Sequence, residues 1–265
     1  MLEIVNILSV GITSYNVKHH IPSDVPTDGL FIPPENLNSQ KHLQEIDQWT
    51  SNQKMLLNSQ KTKSMFFNFT NKYQFTTRLS LYESNVEVLK STKLLGTLIS
   101  DDLKWDLNTK EIVKKANMSM ALLRKAINFG ASMREMKEIY FAFVRSHLEK
   151  SATVWHSSLT EKNKNDLERV QKTAVKIILG NQNLSYKQGL LKLDIDYLST
   201  RREKLCLDFA IKSTKNPKLK HMFPKLKNAK QTRKSKAYFV QHANTKRLKQ
   251  SSIIYMQNLL NNQHK

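Results

Sequence analysis

Two hydrophobic periods run along this chain, and one gives way to the other near residue 105. Before that point short apolar runs alternate with polar turns; after it, apolar residues recur at helical spacing. Residues 2–10 are apolar with one acid and predict a short strand. Residues 15–38 contain Pro22, Pro26, Pro33 and Pro34 with Asp28-Gly29, so the lost donors and fixed φ of proline predict a loop. Over residues 40–55, Leu43, Ile46 and Trp49 fall on one side of an amphipathic helix, with Trp49 in the core. Residues 61–69, 78–81 and 86–89 read as short strands, with Asn85 at a turn.

Residues 91–105 are the hinge between the two patterns. Lys93 to Ile99 suits a strand interrupted by Gly96, which by spacing alone is a hairpin edge with a glycine bulge. Ser100, Asp101 and Asp102 then suit a turn and the cap of the following helix. From residue 107, Ile112, Ala116, Met120, Leu123 and Ile127 form one stripe that Gly130 ends. Ser132 to Glu135 has the capping-box pattern before a face of Met136, Ile139/Tyr140, Phe143 and His147. Ser158 to Glu161 repeats it before Leu167, Val170, Ala174 and Ile177/Ile178, and Thr200 to Glu203 before Leu205, Leu207 and Phe209. Such stripes with short connections predict a helical bundle. Pro217 to Pro224 breaks the pattern, residues 225–249 read as a loop or marginal helix, and 253–260 as a last short helix.

Composition sharpens this picture in three ways. Six glycines in 265 residues favour helix over an all-β sandwich, and 39% hydrophobic residues suffice for a lean core. One cysteine, Cys206, excludes an internal disulfide framework and a cysteine zinc cluster, and predicts an intracellular setting and a buried structural thiol. The net charge of +21 is unevenly spread: residues 201–265 carry 17 Lys/Arg against Glu203 and Asp208, whereas residues 1–40 carry Lys18 against Glu3, Asp24, Asp28 and Glu35. One-sided charge predicts attraction to a polyanion, of which nucleic acid is the commonest. No apolar run reaches spanning length and the N-terminus lacks the basic start of a secretory signal, so no membrane partner is expected.

An ordered set of short motifs then narrows the reading. Leu94-Leu95-Gly96 followed by Asp101-Asp102-Leu103-Lys104-Trp105 resembles the segment after the palm in reverse transcriptases of jockey-like non-LTR retrotransposons, where the Leu-Gly hairpin is the primer grip. Upstream, Trp49, Asn58, Lys61-Thr62-Lys63 and Met65-Phe66-Phe67 are similar to that family's palm helix and lysine-bearing motif. Downstream, Phe129-Gly130, Tyr140, Val144-Arg145-Ser146, Leu148-Glu149, Val154-Trp155 and Leu167-Glu168-Arg169-Val170-Gln171 are similar to its thumb and following helices.

The resemblance implies an α+β chain: a small remnant of a palm sheet with one helix, then a mainly α-helical thumb and C-terminal extension. The expected divisions are 1–40 (strand and proline-rich loop), 41–105 (palm remnant with the primer-grip-like hairpin), 106–180 (thumb) and 181–265 (basic extension). It also implies a fragment of an RNA-directed DNA polymerase that begins just after the catalytic aspartates. The intact polymerase uses Mg²⁺ held by an aromatic-x-Asp-Asp turn, which this sequence lacks, so no cofactor and no catalytic residue are expected here. Lys61 matches the lysine that can protonate the leaving pyrophosphate, a role that needs the missing palm; otherwise it is a surface lysine. Asp101-Asp102 lies too late to replace the turn. The candidate nucleic-acid contacts are Lys63, Lys93, Lys114, Lys115, Arg124, Lys125, Lys172 and Lys176, following the backbone of an RNA or DNA duplex. A solvated basic face is the plain alternative, giving a non-enzymatic helical interaction module or inert element-derived protein; a third reading has another chain supplying fingers and the aspartate turn.

Residues 94–144 also look like a segment attached by similarity to AlkB-type oxygenases. That chemistry needs two histidines and a carboxylate on Fe(II). His147-Leu148-Glu149 has the letters, but in a predicted helix positions two apart diverge, and no iron site is expected. His19-His20 read as solvated loop residues, and His156 as a charged imidazole at a helix end.

Overall fold

The apolar run near the N-terminus pairs with the run beyond the first helix. Strand β1 (Ile7–Val10) lies parallel to β2 (Lys63–Phe66), in register Ile7 with Lys63 through Val10 with Phe66. Parallel neighbours need a crossover, and α1 (Ser39–Asn52) lies within it. On its other side β2 pairs in parallel with β5 (Glu87–Val88), after a hairpin of β3 (Ser80–Leu81) and β4 (Ser84–Asn85). A second hairpin, β6 (Ser91–Leu94) with β7 (Thr97–Ser100), follows. The computed structural model describes residues 7–10, 39–67, 79–180, 182–226 and 237–263, in two compact units, Met1–Lys104 and Trp105–Lys265. The fold is α+β with helix dominant. The predicted proline-rich loop, His19-His20, and most of the basic stretch before Ala237 lie outside the described residues.

The first unit buries a small cluster of Leu43, Leu57, Leu79, Leu81 and Val86, with Ile46 against it. Trp49 is not part of that core but 57% exposed, because Thr50 takes the inward position one turn after Ile46. Gly96 sits in a two-residue turn, not in a bulge. Leu94 pairs with Thr97, and Leu95 and Gly96 both take positive φ, +49° and +82°, the twist that matches a right-handed hairpin. Asp101 and Asp102 cap no helix, since the next one starts only at Asp106. Asp102 instead closes a turn, its Oδ1 accepting from the Ser100 hydroxyl at 2.7 Å and the Lys104 N–H at 2.9 Å.

The second unit opens with α2 (Asp106–Asn128), which buries Ile112, Ala116, Met120 and Leu123, whereas Ile127 is exposed. It ends as the glycine predicts. Gly130 at φ +75° lets the Ala131 N–H reach Ala126 O and the Gly130 N–H reach Ile127 O, the Schellman pattern. Helix α3 (Met133–Ile139) carries the Ser132–Glu135 capping box and runs into a π-helical turn, Tyr140–Arg145, then α4 (Ser146–Glu149). That wider turn keeps Met136, Tyr140, Val144 and Leu148 inward at intervals of four, so Phe143 is exposed and His147 only half-buried, contrary to the expected face.

Next come α5 (Ala152–Trp155), a 3₁₀ turn (His156–Ser158) and α6 (Glu161–Leu179). The cap of α6 is Thr160, whose hydroxyl accepts from the Asn163 N–H at 3.2 Å; Ser158 instead donates to Gln250 O. Helix α7 (Tyr186–Leu193) has a capping box, Ser185–Gln188, that sequence reading missed. Helix α8 (Leu198–Lys215) starts before the expected box, so Thr200 is interior, and its inward face is Leu198, Arg202, Cys206, Ala210 and Ser213. Both α7 and α8 pack on α6, so residues on either side of 180 share one unit. The chain closes with α9 (Lys246–Lys249) and α10 (Ser252–Gln263), longer than expected, whose Met256 and Leu260 bury against Cys206, Ala210, Phe223 and Tyr238.

Candidate nucleic-acid interface

Helix α2 turns one face inward and another out. Opposite the buried stripe, Lys110, Lys114 and Lys125 recur at helical spacing, interleaved with Met118 and followed by Phe129, which is 87% exposed. Lys115, by contrast, pairs with Glu111 at 3.3 Å, the i,i+4 arrangement. On α6 the outward stripe is Lys162, Arg169, Lys172 and Lys176, with Arg169 3.5 Å from Asp166. Lys114, Arg124, Lys125, Lys172 and Lys176 are exposed and hold no ion pair among the described residues.

The N-terminal candidates are more committed. Lys63 Nζ donates to Glu87 Oε2 at 2.6 Å across the sheet, which ties it to β5. Lys93 is exposed on β6. Lys61 lies ahead of β2 in a turn made by Asn58, whose Oδ1 accepts the Lys61 N–H at 3.1 Å. Leu94 and Leu95 are exposed at the hairpin, Leu95 at 89%. The structure thus gathers the thumb candidates on helical faces, and leaves Lys61, Lys63 and the hairpin in the other unit.

Asp102 is committed to its own turn. Both carboxylate oxygens of Asp102 are engaged, Oδ1 by Ser100 and Lys104 N–H, Oδ2 by Lys104 Nζ at 3.2 Å. Burial pushes this carboxyl up, but the hydrogen bonds from Lys104 and Ser100 outweigh it and hold the group below its ordinary range. No cluster of His, Cys, Asp and Glu poised for a metal occurs among the described residues. His147 and Glu149 do not form a pair either. Glu149 binds Arg201 and Arg145, while burial first, then Lys115 and Lys150, hold His147 below its usual value.

Three groups that sequence reading missed or misjudged lie inside the second unit. Gln171, fully buried, accepts from the Tyr140 hydroxyl at 2.5 Å and donates to the Tyr186 hydroxyl at 3.0 Å and the Asp196 carbonyl at 2.9 Å. Tyr186 in turn donates to Glu168 at 2.5 Å, which also receives the Leu198 N–H. Burial, foremost, raises both tyrosines. His156 is not a charged cap: it is buried, its Nδ1 accepts from Arg202 Nε at 3.3 Å, and burial, then Arg202 and Lys164, lower its pKa to about 4. Arg202 is fully buried near the Trp155 ring, and burial lowers its pKa to about 10. Cys206 is the buried thiol expected, pushed up to about 12 by burial. The readable signal was a polar residue on an apolar stripe, Gln171 beside Val170 and Arg202 between Leu198 and Cys206.

No family model, no curated protein and no solved structure matches the chain. None of the described helices is long and apolar enough to cross a membrane.

Proposed function

We propose that this chain is the primer-grip and thumb portion of a non-LTR retrotransposon reverse transcriptase, and that its own activity is sequence-tolerant binding of an RNA–DNA or DNA duplex. The observation that supports it is the set Lys114, Arg124, Lys125, Lys172 and Lys176, exposed cations that hold no ion pair among the described residues, on helices that pack along one another. Lysines released from ion pairs are free to displace counterions from phosphates, which is where affinity without sequence preference originates. Polymerisation would need the aspartate turn, which these residues do not contain.

The test is anisotropy of a labelled RNA–DNA hybrid titrated from about 50 to 200 mM salt. Affinity falls linearly in log–log form and varies little between sequences. Lys114→Gln with Lys172→Gln lowers the magnitude of the slope by roughly 1 to 2. Salt-insensitive binding, or none, overturns the proposal. A helical protein-interaction module is the second reading, favoured by Met118 and Phe129 exposed among those cations; it predicts that substituting these two by serine leaves duplex affinity unchanged.

A further inference from the structure

A cleft of about 200 Å³ opens in the second unit, lined by Arg145, Gln171, Asp194, Ile195, Asp196 and Arg201. The Arg145 guanidinium lies over the Phe141 ring, 3.7 Å from its centre, with Nε 3.6 Å from Glu149 Oε1. Arg201 Nε donates to that same oxygen at 3.1 Å. One carboxylate oxygen therefore accepts a hydrogen bond from the inner nitrogen of Arg201 and forms an ion pair with that of Arg145. Their terminal nitrogens donate no hydrogen bond among the described residues.

Two aspartates share the cleft with these arginines. Asp196 is bound by Lys204 at 2.7 Å, and Asp194, at the rim with its side chain in solvent, has Lys137 at 4.0 Å. The lining thus carries two arginines and two aspartates, with Glu149 between the arginines and Lys204 and Lys137 beside the aspartates. Its floor is rigid, because Gln171 spends its amide on Tyr140, Tyr186 and the Asp196 carbonyl.

We propose that this cleft seats one phosphate group, gripped by the outer nitrogens of Arg145 and Arg201. Planar guanidinium forks match phosphate oxygens, and forks already placed, Arg201 by its Glu149 hydrogen bond and Arg145 by Glu149 and the Phe141 ring, lose little freedom on binding. The source of the phosphate as a nucleic-acid backbone rests on the function proposed above; the seat itself does not. It differs from the lysine stripes in being built, so it recognises phosphate geometry as well as charge.

The test follows the Arg145 and Arg201 Nε–Hε resonances of the full chain while inorganic phosphate is added at constant ionic strength, with acetate as control. Phosphate gives a saturable shift of both resonances and acetate does not. Arg201→Gln, which leaves Glu149 paired with Arg145, abolishes the shift, whereas Lys172→Gln preserves it. No saturable shift, an equal response to acetate, or a shift that survives Arg201→Gln overturns the seat. A second titration uses a short duplex. If phosphate fills the cleft but no duplex binds, the seat stands and the nucleic-acid reading falls; duplex binding that leaves both resonances unmoved overturns the cleft as a backbone contact and spares that reading.

Discussion

In the N-terminal unit the chain reverses direction on residues whose side chains make the left-handed region costly: Tyr82 and Glu83 in one hairpin, Leu95 in the other, with Lys54 and Leu103 nearby. In the C-terminal unit only Ser151 and Asp194 are so placed among the described residues, and the ends of helices carry side-chain caps at Ser132, Thr160, Ser185 and Thr245. Each non-glycine residue in that region costs about 1–2 kcal/mol, while each cap contributes about 0.5–2 kcal/mol. Among the described residues the first unit thus sets local strain against seven buried apolar residues, the cluster of five with Met65 and Phe67, and the second adds local preference to a longer core. Stability should therefore be concentrated after residue 105.

The largest test of that contrast removes core from the second unit. Leu123 is fully buried on α2, and Leu123→Ala should cost about 2–5 kcal/mol, the lost transfer energy plus a cavity. Leu95→Ala, at the exposed hairpin tip, should change stability by less than about 0.5 kcal/mol. Urea unfolding read by helical circular dichroism measures both. Equal losses would break the contrast.

What the sequence made readable follows the same division. The stripe of Ile112, Ala116, Met120 and Leu123, the stop at Gly130 and the box at Ser132 are local, so their residues alone specify them. Helix α8 starts at Leu198 rather than at Thr200 because the Leu198 N–H finds Glu168, 30 positions away, a partner that no local pattern contains. Candidate cations on α2 and α6 were readable as whatever the apolar stripe leaves outside. The Arg145–Glu149–Arg201 cluster was only half readable: Arg145 and Glu149 are one turn apart, but Arg201 arrives by tertiary packing. In the first unit Trp49 misled, since an aromatic at helical spacing is core only where a partner surface reaches that far.

A smaller test concerns pH, and it acts only on the second unit. The folded His156 imidazole titrates at about 4 against an ordinary value of 6.5, with burial the main cause and Arg202 next. Between those values the unfolded chain binds a proton that the folded chain does not. Stability is complete above pH 6.5 and is lost as pH falls towards about 4, by an amount on the order of 3 kcal/mol. Urea midpoints followed by the fluorescence of buried Trp155 should show this slope, and His156→Gln, whose amide oxygen keeps the Arg202 hydrogen bond, should flatten it. An unchanged slope in the variant would remove His156 from the account.

The smallest effect is the most informative about Leu95. With Gly96 it forms a hairpin turn whose two positions both need positive φ, and Asn-Gly is the pair that such a turn favours. Leu95→Asn should therefore stabilise the hairpin by about 0.5–1 kcal/mol, since asparagine tolerates the left-handed region and leucine does not. Leucine at this exposed, strained tip gains nothing from burial among the described residues of its unit. Measured together, higher stability with weaker duplex binding would place the hairpin tip in the binding surface; higher stability with unchanged binding would confine that surface to the lysine-bearing helices.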